Sequence, residues 1–370
     1  MLNLFKLHPD YENRIYGLDV FRAIAILIVV LTHGGFLLTG PLNDFPWIGL
    51  PDGVDLFFVL SGFLVGGIFI RSSEKENFNN PNTLLQFWKR RWFRTLPAYY
   101  LVLLLNFLFV RWEFIDGNLA TFDWSFFVFL QNFSSPLVGF FWESWSLSVE
   151  EWFYLGLPLI YILAKDLSSP KRGLLISCFI LIIFPLVYRH FSFNPAHDKF
   201  WFDASVRKLV VTRIDAIGYG VLAAYFHRYY HPTWIKLRVP AFIVGLGLMF
   251  FTIYYPHPST TYYSQTFFLS IVPLAAVLMI PFAENYRTFR TGIGKFFTHI
   301  SLISYSMYLI NLALVAQVIQ KHFPSTSFSN GLIKYVLFWV IVIIGSTLLY
   351  KFFEKPIMDL REKKSQPTEK

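Results

Sequence analysis

The sequence predicts an all-α fold, a polytopic transmembrane helical bundle of about ten spans with both termini cytoplasmic. Three observations predict it. Of the 370 residues, 55% are hydrophobic and only 15% are charged, where a soluble domain carries about a quarter. Apolar runs close to the roughly 20 residues of a spanning helix recur from end to end. Lysine and arginine are sorted between alternate loops.

The apolar runs fall at 16–38, 52–70, 96–110, 143–164, 173–188, 209–226, 239–255, 264–282, 301–319 and 332–350. Ten spans return the chain to its starting side. With both termini cytoplasmic, 23 of the 32 lysines and arginines lie in cytoplasmic segments and six in the opposite loops; Arg22, Arg213 and Lys334 lie inside spans. Cytoplasmic loops retain basic residues, so this bias sets the orientation. It also accounts for the net charge of +9 without nucleic acid as a partner. The expected organisation is a cytoplasmic tail over 1–15, a transmembrane unit over 16–354 and a cytoplasmic tail over 355–370, disordered over its last ten residues. The stretch Phe122–Phe133 is apolar but too short to span, and is expected at the interface or re-entrant in an extracytoplasmic loop. Asp10 and Glu12 precede the first run and no small-residue cleavage site follows it, so no signal peptide is expected. The single cysteine, Cys178, forms no internal disulfide, and no Cys/His spacing suggests a metal site.

A charged group inside a span costs roughly 2.5–3.5 kcal/mol on insertion scales, so each such group needs a reason. In the first span, Arg22 and His33 are eleven residues apart. That is close to three helical turns, which puts both on one face about 16 Å apart along the axis. Asp19, one turn before Arg22, is a candidate partner for it. Asp55 opens the second span. Ser148 and Glu150 lie early in the fourth, with Glu151 adjacent, and Arg213 and Asp215 early in the sixth. Arg213 and Asp215, two residues apart, point to different faces and need not pair with each other. In the expected orientation His33, Asp55, Ser148, Glu150, Arg213 and Asp215 share the extracytoplasmic half. A histidine with carboxylates at one depth suits acid–base chemistry; the same set also suits a proton relay. On the cytoplasmic side, Phe87–Pro97 reads FWKRRWFRTLP, with Pro97 opening the third span. Arginine stands at three of its four basic positions, and the planar guanidinium suits phosphate.

Together these motifs resemble the acyltransferase-3 family of integral membrane acyltransferases. The R-x10-H pair corresponds to Arg22 and His33, and the GVD-FFVLSGFL segment to Gly53–Leu64. F-x-x-R-R-x-x-R-x-x-P corresponds to Phe87–Pro97, and W-S-L-S-V-E-E-x-F-Y to Trp145–Tyr154. R-I-D-A falls at Arg213–Ala216, I-S-Y-S-x-Y-L at Ile303–Leu309 and F-E-K-P-I at Phe353–Ile357. Any one motif is weak; seven in order are specific. The resemblance implies acyl-coenzyme A, often acetyl-coenzyme A, as co-substrate, with no tightly bound cofactor or metal. It implies acceptors such as surface polysaccharides, lipid-linked sugars, peptidoglycan or small natural products. Carried over residue by residue, it makes His33 the catalytic base, Arg22 its partner, and Arg91 and Arg94 donor-binding arginines, with Arg90 beside them. Glu150 belongs to the Ser-x-Glu element with Ser148. Tyr305 belongs to the I-S-Y-S-x-Y-L element and, with Asp19, Arg213 and Asp215, is expected to bind substrate or support the site. Glu150 or Asp55 is expected to orient the imidazole, and a covalent acyl-histidine remains an alternative to direct transfer.

Two departures from the family pattern matter. Many relatives carry a histidine where this chain has Asn311, and asparagine cannot shuttle a proton near neutral pH. Some relatives append a soluble hydrolase-like domain. Here a short tail is expected to follow the last span, leaving acceptor choice to the membrane unit, an oligomer or a separate soluble partner. The implied location is a bacterial cytoplasmic membrane. The rival reading is a proton-coupled transporter using the same His, Asp and Glu residues, but it leaves the arginine cluster without a role. A binding protein without chemistry leaves the Arg22–His33 alignment unexplained.

Overall fold

The computed structural model describes residues 7, 14–38, 50–255, 258–287, 292–325 and 327–365. The tail expected over 1–15 therefore lies outside the described residues apart from 7, 14 and 15, as does the end of the C-terminal tail from 366 onward.

Among the described residues the regular structure is helical, with no strand. Each of the ten apolar runs lies on a helix. These are α1 (Tyr16–His33), α2 (Gly53–Lys75), α3 (Pro81–Arg111), α4 (Ser144–Asp166) and α5 (Pro170–Phe191), then α6 (Val210–Tyr229), α7 (Arg238–Tyr254), α8 (Leu269–Glu284), α9 (Gly292–Ile310) and α10 (Phe328–Leu349). Eight are long and apolar enough to cross a membrane. A ninth crossing arises if α6 is taken with the helical segment Lys199–Arg207, which meets it at a 62° bend. The tenth, α7, is apolar but has 17 residues, the lower limit for a span.

The third helix begins well before its apolar run. Asn80 caps it, its side chain accepting from the Asn82 amide at 3.0 Å, and Pro81 occupies the first turn, where a missing N–H costs nothing. The helix then runs through Pro97 for 31 residues. Proline 97 does not open the span as expected; the arginine motif and the apolar run share one helix. The C-terminal tail also differs from expectation, since helix continues over Lys355–Ser365.

The helix α2 lies centrally, packed on α6, α1 and α8, while α1 also packs on α9, and α4 on α5. The α2–α6 contact is backbone to backbone. A Cβ on Gly62 would sit 2.1 Å from the Ile217 carbonyl oxygen, and one on Gly220 would sit 2.1 Å from that of Val59. Small residues facing each other allow this approach. The apolar stretch around Phe122–Phe133 forms 3-10 turns rather than a long helix. Side chains from neighbouring helices hold its carbonyls: Tyr99 and Tyr100 donate to Phe126 and Phe127, each at 2.7 Å, and Trp152 donates to Phe129 at 2.9 Å. Irregular backbone persists among spanning helices only where protein groups satisfy it in this way.

Candidate active site

A cavity of about 300 Å³ runs beside α2 and is lined from Val54 to Arg71, a helical rise of about 25 Å. Arg71 and Arg94, both exposed, mark one end. Val54, Ser146 and Tyr308 line it toward the other, where Gly53 at the start of α2 packs against Ala25 and Val29 of α1. Four arginines line it, Arg22, Arg71, Arg91 and Arg94, against one carboxylate, Glu150. Such a lining suits an elongated ligand with anionic groups at one end.

The helices α1, α3 and α4 each bring a predicted residue to this cavity: Arg22, the Arg91/Arg94 pair and Glu150. Arg91 is buried, at 9% exposure, while Arg90 is exposed and does not line the cavity. Glu150 accepts from the Tyr154 hydroxyl at 3.1 Å, and that hydroxyl lies 3.1 Å from Ser61 Oγ. Tyr305 lines the cavity and donates to the Thr95 carbonyl at 2.8 Å. Behind that wall, Thr95 donates to buried Glu151 at 2.6 Å.

His33 is partly exposed and does not line the cavity. Its Nδ1 lies 2.8 Å from Oδ1 of Asn311, which is one turn beyond Tyr308. Neither Glu150 nor Asp55, the expected orienting groups, hydrogen-bonds His33 among the described residues; asparagine 311 stands in that place. Asp55 is paired with Arg213, whose other nitrogen donates to the Leu269 carbonyl at 3.1 Å. Asp215 pairs with Arg189 at 2.9 Å and accepts from Ser270 at 2.8 Å. Arg213, Asp215 and Arg189 are fully buried or nearly so. These two ion pairs tie α2 and α5 to α6, and their hydrogen bonds to Leu269 and Ser270 add α8. Asp19 binds Arg14 (Nε–Oδ2 2.7 Å) and accepts from Ser301 at 2.8 Å. It thereby links α1 to α9, and no hydrogen bond joins it to Arg22 among the described residues. Ser148 is buried beside the lining residues Ser146 and Leu147, and its hydroxyl turns back to the Ser144 carbonyl at 3.4 Å.

A family profile described as an acyltransferase domain, Acyl_transf_3, matches residues 15–351. The chain belongs to the acyltransferase-3 family. Three relatives illustrate its range. A Staphylococcus aureus (strain COL) protein provisionally named an O-acetyltransferase is 26% identical over 96% of this chain and 59% of its own length. The O-acetyltransferase OatA of Staphylococcus aureus (strain NCTC 8325 / PS 47) is 25% identical over 95% of this chain and 58% of its own length. The peptidoglycan O-acetyltransferase OatA of Listeria monocytogenes is 33% identical over 42% of this chain and 25% of its own length. The chain thus spans about three-fifths of the length of the curated relatives it matches most fully. As a family member with eight to nine helices among its described residues fit to cross a bilayer, it is an integral membrane protein.

Sequence reasoning missed several residues at this cavity. Arg71 reads as an ordinary loop cation. Its signal is Gly67 one turn earlier: Arg71 Nη1 lies 3.5 Å from where a Cβ on Gly67 would be, so the side chain folds back along α2. Ser61 and Tyr308 sit inside quoted motifs and show no polarity pattern that marks them. Arg189, one of the six basic residues counted in the opposite loops, is the buried partner of Asp215.

Proposed function

We propose that this acyltransferase moves an acyl group, acetyl in the simplest case, from acyl-coenzyme A to a hydroxyl of a carbohydrate, glycolipid or similar acceptor in the cell envelope. The observation that carries the reading is the arginine-lined cavity whose lining reaches Tyr308, one turn before the Asn311 that contacts His33. The donor's phosphates engage Arg71, Arg91 and Arg94 at the exposed end. The pantetheine arm extends along α2 past Arg22 and Glu150, so that the thioester approaches His33 near Tyr308. His33 removes the acceptor's hydroxyl proton, the oxygen attacks the thioester carbonyl, the carbon–sulfur bond breaks, and the proton passes to the departing thiolate. A general base of this kind contributes roughly 100- to 10,000-fold.

In this reading the basic end is cytoplasmic and the acceptor arrives from the opposite side of a bacterial cytoplasmic membrane. The charge bias of the loops supports that orientation, and the names of the relatives support acetyl as the group transferred. Purified protein in bilayers, incubated with acetyl-labelled acetyl-coenzyme A and muropeptides or lipid-linked sugar, is expected to consume the thioester and label the acceptor. A protein that only relays protons or binds glycans leaves the thioester intact, and that result ends the proposal.

A further inference from the structure

The amide of Asn311 can face His33 in only one way without losing hydrogen bonds. Its Nδ2 donates to the Met307 and Tyr308 carbonyls, each at 2.8 Å. The amide is fully buried, and turning it over would set an oxygen against two carbonyl oxygens. Oδ1 is therefore the atom presented to His33 Nδ1, at 2.8 Å. An amide oxygen only accepts, so Nδ1 must carry the hydrogen. In a neutral imidazole that leaves Nε2 with the lone pair.

The local backbone explains why asparagine sits there. Asn311–Gln317 is π-helical, with hydrogen bonds reaching five residues back instead of four. The change of register at the end of α9 frees groups that an α-helix pairs internally. Asn311 covers two carbonyls on one side. Buried Glu143 covers the Ala313 amide on the other, accepting from it at 2.9 Å. Tyr308 is held in the same region, donating to the Glu143 carbonyl at 2.9 Å and accepting from Ser146 at 2.6 Å. The asparagine is thus fixed by the helix it terminates, and it holds the histidine of α1 in turn.

We propose that Asn311 is a positioning residue that holds His33 in the Nδ1–H tautomer, so that Nε2 is the nitrogen that deprotonates the acceptor. The inference rests on the transferase reading for its consequence, while the tautomer itself is measurable without turnover. It gives the asparagine the orienting part that a carboxylate plays in a triad, without adding a second charge.

The first test is nitrogen-15 NMR of histidine-labelled protein in bilayers at neutral pH. The His33 resonances, among nine histidines, are those missing from His33→Gln. A protonated Nδ1 with an unprotonated Nε2 is expected; a protonated Nε2 overturns the proposal. The second test compares two near-isosteric variants. Asn311→Leu removes the acceptor and is expected to lower kcat roughly tenfold or more, part of the general-base contribution, with the donor KM unchanged. Asn311→Asp, with its buried carboxyl protonated, keeps an oxygen facing Nδ1–H while its O–H replaces the amide's donation toward the Met307 and Tyr308 carbonyls, and is expected to recover much of the loss and the wild-type tautomer. A folded Asn311→Leu protein with kcat within about threefold of wild type overturns the role, as does a loss in Asn311→Asp equal to that in Asn311→Leu. Failure of the transferase reading shows separately, as a wild-type protein that leaves the acetyl-coenzyme A thioester intact.

Discussion

Arg91 differs from its neighbours in the same motif by being buried while lining the cavity. A buried guanidinium offers paired donors in a fixed fork, which an ammonium group cannot reproduce. Arg91→Lys is expected to weaken acetyl-coenzyme A binding roughly tenfold, the scale of one lost charge-assisted hydrogen bond, while the protein still inserts and folds. Unchanged affinity by calorimetry removes the phosphate role. At this scale the sequence reported residue type and left partners undetermined. Arg22, Arg91, Arg94 and Glu150 were legible as candidates because ionisable groups near or within apolar runs are costly. The partners of Asp55 and Asp215 were not, since each lies on another helix. Arg213 and Arg189 meet them only after α2, α5 and α6 have packed. Asn311 was visible as a departure from the family pattern; its contact with His33 depends on the π-helical turn at the end of α9.

Helix positions were legible because long apolar runs leave few alternatives, and each of the ten lies on a helix. Their ends were less so. In α3, a polar turn capped by Asn80 and Pro81 extends the helix far ahead of its apolar part, and hydropathy does not register such a segment. Proline 97 misled for a related reason: spanning helices tolerate proline where neighbouring groups satisfy the freed backbone. The orientation of these helices rests on the loop charges alone and is directly testable. The one native cysteine, Cys178, is buried, which leaves a quiet background for labelling. A cysteine replacing exposed Thr260, between α7 and α8, is expected to react with an impermeant maleimide added outside intact cells. One replacing exposed Asn79, between α2 and α3, is expected to react only after permeabilisation. The opposite pattern inverts the orientation.

Across the whole molecule, a cavity runs along α2 from an arginine-rich end to Ser146 and Tyr308, and Tyr308 stands one turn before the Asn311 that contacts His33. The cavity was not legible in the sequence, because it arises from faces of α1, α2, α3, α4 and α9 that converge only in the bundle. What the sequence did carry was the order of motifs that supply those faces. The central claim is that donor binding and base catalysis occupy separate parts of this arrangement, the first along the cavity and the second at His33. The most direct measurement is donor binding and single-turnover thioester consumption on the same preparations of wild type and His33→Gln. Glutamine keeps a hydrogen bond and much of the packing but cannot take the proton. His33→Gln is therefore expected to bind acetyl-coenzyme A within about threefold of wild type and to consume it at least roughly 100-fold more slowly. Consumption by His33→Gln within a few-fold of wild type would contradict the account.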